Sequence, residues 1–448
     1  MNFQIVNPYN NKVVKEYKYD SYESAEVKLE KLSYGFVKWR YVDFDLRSEV
    51  IRGFANYLST NKAALSALIS SDMGKPIMQA EQEIVKSIEC SNFYADNSSD
   101  IAKMFQGAGY IREPIGVVMG IMPWNFPVWQ MVRFIIPALL AGNCCALKPA
   151  FNCYRIAEFI NKFFLELDES VCDLIMTDDA NTELLIKNDN VKGVSLTGST
   201  IAGKKVALVA AEKLKPYVLE LGGSDPFVIF PDADKRKAVS NLVSAKFLNS
   251  GQTCIAPKRI FVHEEIFQET IHQIIEKTKK YLRLGDPMDK SVNIGPIARK
   301  DLRSRLEKQI EAAELENGQI MFRADISGFK GNFFAPMIID ARNLDTENIL
   351  FKEEVFGPVM LCQSFKNYDD VITFANDSEF GLGASVWSGS KSILANAARD
   401  LNHGVVGLNS TVKSDPSLPF GGRKNSGFGI ELGFEGVFSF TDFKTIIG

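Results

Sequence analysis

Between residues 20 and 105 apolar side chains recur at helical spacing among charged ones, as in SYESAEVKLEKLSYGFVKW and RSEVIRGFANYLSTNKAALSALISSDMGKP. That period predicts amphipathic helices laid over a core. From Ile115 the pattern changes to short apolar runs, IGVVMGI, CCALK, GVSLT, YVLEL and PFVIF, separated by helical stretches. Runs of this kind predict strands buried on both faces, and their alternation with helices predicts a parallel sheet covered on both sides. The segment VWQMVRFIIPALLAG predicts a helix that stops at a glycine, followed at once by the strand NCCALK. Its apolar stretch, residues 128–141, is broken by Gln130, Arg133 and Pro137 and is too short to cross a bilayer. A second alternating region begins near Lys235, with the helix KAVSNLVSAKFLNS, the strand RIFVH, the helix EIFQETIHQIIEKTKKYLRL and strands near PVMLCQSF and GASVWSG. No linker, low-complexity tract or repeat separates the regions, so the change of pattern alone places a boundary near Asp225 to Asp234.

A chain of 448 residues is too long for one hydrophobic core and suggests two or three domains. With 46% hydrophobic and 24% charged residues, a disordered or fibrous chain is excluded. The 51 basic and 55 acidic residues leave a formal charge of −4, which argues against nucleic acid or an anionic membrane as partner and for a small molecule. The stretch MNFQIVNPYNNKVVKEYKYD has neither signal-peptide nor transit-peptide character, so cytoplasmic residence is expected. Cysteines at 90, 144, 145, 153, 172, 254 and 362 form no CxxC pair and read as reduced thiols rather than a disulfide framework or zinc site.

The run FLNSGQTCIAPKR raises the question of whether Cys254 is a buried spacer or a nucleophile. A cysteine hydrolase would need a histidine base, yet the only histidines are His263, His272 and His403, without an orienting Asn or Asp motif. Two other polar residues stand at predicted strand ends, where ligands bind in open α/β sheets: Asn125 in MPWNFP and Glu220 in LELGG. A carboxylate there can act as a base toward water, and an amide can stabilise an oxyanion without titrating.

In that order, MPWNFP, LTGST, VLELGG, NSGQTC, EEVFGPV and LPFGGRKNSGFG resemble the NAD(P)-dependent aldehyde dehydrogenase superfamily, most closely its bacterial succinate-semialdehyde branch. Glu220 and Cys254 are 34 residues apart, as in that family. The resemblance implies an α/β aldehyde dehydrogenase fold with a Rossmann-type cofactor domain (residues 1–96 and 115–226), an α/β catalytic domain (227–434) and a small β oligomerisation arm (97–114 and 435–448). It implies Cys254 as the nucleophile, Asn125 with the Cys254 amide as the oxyanion hole, and Glu220 as the base that hydrolyses the thioester to a free acid. NAD or NADP is the implied cofactor. The implied contacts are Gly198 and Ser199 at the pyrophosphate, Lys148 at the adenosine ribose with Ala150 and Phe151 following it, Glu354 at the nicotinamide ribose with Phe356 beside it, and Trp124 and Leu221 through backbone and packing. Phe151 and Ile201 replace acids that often exclude a 2′-phosphate, so NADP is permitted.

Arg133 matches the arginine that holds the distal carboxylate in succinate-semialdehyde dehydrogenases, which place the reaction in 4-aminobutanoate breakdown. An arginine on so apolar a helix needs an anion, supplied either by substrate or by a neighbouring carboxylate. Lactaldehyde or aliphatic aldehydes are the alternative substrates, and a non-catalytic scaffold is the rival of another class. Ile255 and Ala256 leave no vicinal second cysteine. Cys144, Cys145 and Cys153 read as packing residues, the histidines as structural with no metal, and Lys75 as fixing a turn. The family assembles as homodimers or homotetramers.

Overall fold

The apolar runs become the inner strands of two open sheets. In the computed structural model, which describes residues 2–167, 170–315, 318–345 and 347–448, the first sheet has six strands. Their order is Gly427–Phe428, Tyr217–Glu220, Val191–Thr197, Val117–Met122, Cys144–Pro149 and Cys172–Leu174. All are parallel except the outermost, Gly427–Phe428, which runs antiparallel to Tyr217–Glu220. The chain builds from Val117–Met122 to one side, then returns to place Val191–Thr197 on the other. That reversal opens a crevice at the carboxyl ends of these strands, where Trp124, Asn125, Gly198 and Ser199 follow.

The second sheet orders seven strands as Gln319–Arg323, Met337–Asp340, Val359–Phe365, Arg259–His263, Pro226–Ile229, Gly383–Trp387 and Val405–Leu408. PFVIF, grouped by its pattern with the first region, belongs here and pairs with Arg259–His263 and Gly383–Trp387. An apolar run looks the same whichever sheet it enters, so pattern alone does not separate the two, whereas the cut between 226 and 227 implied by the family resemblance puts residues 227–230 with the second region. The same limit affects the cut at 434: Gly427–Phe428 pairs with the first sheet, and Phe420, Leu432, Val437 and Phe440 pack in its core.

Two local departures stand out. Residues 97–114, expected as a β arm, start with a helix, Ser98–Lys103, supported by an Asp100–Lys103 pair one turn apart. Only Gln106–Gly107 and Tyr110–Pro114 are strands, completed by Thr441–Thr445 into a three-stranded antiparallel sheet. The segment before residue 20 forms a hairpin, Asn2–Asn7 with Lys12–Lys18.

Helix Pro127–Ala141 lies buried along its whole length. Proline at its first position and Gly142 at φ 97° after its last match the preferences of helix ends. Its first amides, which have no partner within the helix, are capped from outside: the Glu83 carboxylate accepts the N–H groups of Val128 (2.8 Å) and Trp129 (3.1 Å). Glu83 is held by Lys75, the two forming an ion pair with neither side chain exposed. Lys75 therefore does more than fix the turn at Gly74, because it braces the helix that Asn125 leads into. Among the described residues no helix is long and apolar enough to cross a membrane.

Candidate active site

The loop before Cys254 is bent into a conformation that ordinary residues avoid. Asn249 (φ 52°), Ser250 (φ 55°) and Gly251 (φ 74°) are successive left-handed residues, at a cost of about 1–2 kcal/mol for each non-glycine. Surrounding contacts hold the bend. The Asn249 amide donates to the carbonyls of Asn125 (2.8 Å) and Gln252 (3.3 Å), and its N–H donates to the Gln79 side chain (2.8 Å). The Ser250 hydroxyl donates to the Gly295 carbonyl and accepts the Gly295 N–H. The Gln252 side chain accepts from the Ala298 N–H at 2.9 Å. A Cβ on Gly251 would stand 2.3 Å from the Gly357 carbonyl oxygen, so only glycine fits. Strain of this kind, held by several independent contacts, is characteristic of functional loops.

Cys254 emerges from this bend half-buried, at the wall of a cavity of about 240 Å³ that is also lined by Phe126, Trp129, Leu248, Ile255 and Phe420. Burial pushes its thiol up to about 12; the charges of Lys258 and Arg133 work against that shift, those of Glu354 and Glu220 with it. Lys258 is buried, donates to the carbonyls of Thr253 and Cys254, and pairs with Glu354 at 3.4 Å. Asn125 is also buried. Its amide donates once, to the Gln252 carbonyl at 3.1 Å, which leaves its second N–H available. The Cys254 N–H has no acceptor among the described residues.

Glu220, at the end of its strand, is 2% exposed, and one carboxyl oxygen has no hydrogen-bond partner among the described residues. Burial holds this carboxyl well above the usual range; Arg133 opposes the shift and Glu431 adds to it. A carboxyl so placed holds a proton more readily than one in water, and a carboxyl perturbed by burial and a specific charge partner beside a cavity is a candidate for proton transfer.

Arg133 lines the cavity but is not a free anion clamp. It forms an ion pair with Glu431, reaches Thr197 Oγ1 at 3.4 Å and lies 5.2 Å from the centre of the Phe420 ring. Glu431 also accepts from Ser195 at 3.2 Å. The neighbouring carboxylate thus supplies the anion that a buried guanidinium needs. Of the two sources of that anion left open by the sequence, the neighbouring carboxylate is the one present here.

On the crevice side, Lys148 has no hydrogen-bond or ion-pair partner among the described residues; burial lowers its pKa, and Asp179 and Asp178 counter that. Ser199 caps helix Thr200–Ala211 by accepting the Ala202 N–H. Gly198 does not offer its backbone N–H to a ligand, because that group donates to the Glu220 carbonyl at 2.9 Å and extends the ladder between the two strands. Glu354 accepts the Gly223 N–H at 3.0 Å and, with Lys258, ties this side of the crevice to the nucleophile loop. The ring of Phe356 meets that of Trp124 edge-on at 5.7 Å. Leu221 packs on Gly203 of the capped helix, and the Ala150 N–H donates to the Met122 carbonyl. The Phe151 ring is engaged by Phe3 of the N-terminal hairpin and by Arg299.

Sequence reasoning missed Lys86, Lys258, Gln252, Asn249 and Glu431. Only Asn249 carried a local signal, since an Asn-Ser-Gly run suits left-handed backbone. Lys86 shares the cavity with Cys254 from a helix that joins it only in the folded chain.

A thiol at the wall of a small cavity, on a loop hydrogen-bonded to Asn125 and within the electrostatic influence of the buried Glu220 carboxyl, next to the switch point of an open parallel sheet, suits covalent chemistry on a carbonyl beside a dinucleotide-type crevice. The family model described as Aldehyde dehydrogenase family matches residues 1–446, and the chain belongs to that family and is an aldehyde dehydrogenase. It is 33% identical over 452 residues to succinate-semialdehyde dehydrogenase [NADP(+)] 1 of Mycobacterium tuberculosis (strain ATCC 25618 / H37Rv), covering 98% of each chain. It is also 33% identical over 449 residues to the succinate semialdehyde dehydrogenase [NAD(P)+] Sad of Escherichia coli (strain K12), covering 98% of this chain and 96% of that one. Among solved structures, succinic semialdehyde dehydrogenase from Streptococcus pyogenes in complex with NADP+ superposes with a TM-score of 0.94 at 28% identity, covering both chains completely. Betaine aldehyde dehydrogenase from Staphylococcus aureus in complex with NAD+ does so with a TM-score of 0.92 at 28% identity, covering 100% of this chain and 91% of that one. The fold is therefore the aldehyde dehydrogenase fold expected from the ordered motifs.

Proposed function

We propose that this enzyme oxidises succinate semialdehyde to succinate with NAD+ or NADP+. The observation that carries the substrate is the pair of cationic side chains, Lys86 and Arg133, lining the small cavity that contains Cys254. The names of the two curated relatives point the same way. Neutral aldehydes such as lactaldehyde and butanal are the second reading, favoured by the apolar walls and by the Glu431 partner of Arg133.

The Cys254 thiol gives its proton to solvent water, and its sulfur attacks the aldehyde carbon. The C–S bond forms as the carbonyl π electrons move onto oxygen. The free Asn125 N–H and the Cys254 N–H are the donors for that oxyanion, and losing one such donor typically costs on the order of 100-fold in rate. NAD(P)+, when bound, would supply the hydride acceptor, and loss of hydride from the former aldehyde carbon would leave a thioester on Cys254. Glu220 takes a proton from water, the water oxygen adds to the thioester carbon, and the C–S bond breaks to return the thiolate and release the acid.

The crevice fits a dinucleotide: Lys148 is a largely buried amine without a partner among the described residues, the Ser199 hydroxyl keeps a donor, and Glu354 presents a carboxylate next to Phe356. The sheet formed by Tyr110–Pro114 and Thr441–Thr445, with exposed Phe443, Ile446 and Ile447, suits pairing between copies into a homodimer or homotetramer. All seven cysteines are free thiols, which suits a cytoplasmic location.

The test is the initial rate of NADH and NADPH formation from succinate semialdehyde, with butanal and lactaldehyde at matched concentration. Strong preference for the semialdehyde is the expected result, and equal rates on all three sink the substrate reading. Cys254→Ser retaining full activity sinks the mechanism.

A further inference from the structure

Two cavities adjoin at the nucleophile loop. The inner one, about 240 Å³, contains Cys254, and the outer one is about 670 Å³. Gln82, Lys86, Leu248, Thr253, Ile255 and Ser414 line both and so form the neck between them. Lys86 is the one charged side chain among those six. Its ammonium lies 4.2 Å from the centre of the Trp129 ring and donates to Ser414 Oγ at 2.6 Å. No carboxylate pairs with it among the described residues. A largely buried ammonium whose direct contacts are a hydroxyl and a ring face, with Glu83 and Asp415 acting on it only from beyond ion-pair distance, is electrostatically incomplete. Arg133, the other cation of the inner cavity, already has Glu431. An incoming carboxylate thus meets an unpaired cation at the neck and a compensated one deeper in.

We propose that Lys86, together with the Ser414 hydroxyl, is the receptor for the carboxylate end of an ω-carboxy aldehyde and selects such substrates over neutral ones. The proposal rests on the semialdehyde reading above and names the residue that enforces it. Lys86 donates to one carboxylate oxygen. Ser414, which accepts from Lys86, keeps its own O–H to donate to the other. The substrate's methylene chain then runs along the apolar wall toward Cys254.

Burial, and then repulsion from Arg133, lower the Lys86 ammonium to about 8, with Cys90 and Glu83 on its own helix and Asp415 beside Ser414 acting against the shift. The ammonium is charged below that value and neutral above it. A semialdehyde carboxylate stays ionised throughout, so its kcat/KM falls as pH rises through about 8, a limit that butanal does not share.

The experiment uses the full-length enzyme with Lys86→Gln and Lys86→Arg, reading KM and kcat for succinate semialdehyde and for butanal from neutral to alkaline pH. Lys86→Gln is expected to lower kcat/KM for the semialdehyde about 10- to 100-fold more than for butanal, through KM. Lys86→Arg keeps the preference and removes the alkaline limit, because arginine does not deprotonate. Equal losses on both aldehydes, or a wild-type preference that persists undiminished at alkaline pH, overturn the proposal. Succinate as an inhibitor of butanal oxidation separates the two readings. Competitive inhibition that Lys86→Gln abolishes upholds the receptor even where the semialdehyde proves a poor substrate. Absence of inhibition in the wild type overturns the receptor, whatever aldehyde is preferred.

Discussion

Replacing Lys75 by methionine keeps most of the side-chain volume and removes one charge from a pair that water does not reach. Glu83, its partner, is equally buried and caps the amides of Val128 and Trp129. The Lys75 ammonium also faces the Phe126 ring at 3.7 Å. In Lys75→Met the Glu83 carboxylate keeps its two amide donors but loses its counter-ion. Breaking a buried pair from one side costs about 3–5 kcal/mol, a large part of the roughly 5–15 kcal/mol that holds a typical protein folded. At about 2–4 °C per kcal/mol for bodies of 150–250 residues, Tm should fall by about 6–20 °C, toward the low end in a longer chain. The double variant Lys75→Met/Glu83→Gln removes the stranded charge and keeps an oxygen to accept the helix amides, so it should recover part of that loss. The assay is thermal unfolding at one fixed scan rate, with kcat measured alongside because Asn125 stands two residues before the capped helix. A Lys75→Met Tm within about 1 °C of wild type, or a double variant less stable than the single one, would refute the reasoning.

Other expected outcomes follow from the site. Glu220→Gln should still form the thioester but hydrolyse it slowly, giving a burst of reduced cofactor near one equivalent per active site; a slow linear phase with no burst would remove Glu220 from the hydrolytic step. Gly251→Ala places a Cβ 2.3 Å from the Gly357 carbonyl at φ 74°, so activity should collapse and stability should drop by more than about 1–2 kcal/mol. Near-wild-type activity in that variant would show that the left-handed bend is dispensable. With burial holding Cys254 up to about 12, its alkylation by iodoacetamide should accelerate throughout the neutral to alkaline range. Lys258→Met should slow that reaction, since the Lys258 charge opposes the upward shift; an unchanged or faster rate would contradict this.

Much of the architecture was legible because its physics is local. Strands and helices follow from the spacing of apolar residues, and the helix Pro127–Ala141 is marked at both ends by residues suited to helix ends. Cys254, Glu220 and Asn125 were legible as a set because ordered motifs surround them. What each donor does was not. Gly198 looked like a backbone donor to a phosphate until strand pairing gave its N–H to the Glu220 carbonyl. Residues 98–103 were read within a β arm, although a short polar segment with a charge pair one turn apart is stable as a helix once its neighbours fix its ends.

By itself the sequence determined most of the secondary structure, the class of fold and the candidate trio of Cys254, Glu220 and Asn125, since periodicity, turn chemistry and short motifs are encoded over a few neighbouring residues. Tertiary structure alone decided that Gly427–Phe428 pairs with the first sheet, that Arg133 is neutralised by Glu431 from almost 300 positions away, and that Lys86, at the neck beside Cys254, has no carboxylate partner among the described residues. Those outcomes depend on which charges meet inside a poorly solvated interior, where the presence or absence of one partner sets the electrostatics, and spacing along the chain does not encode such meetings.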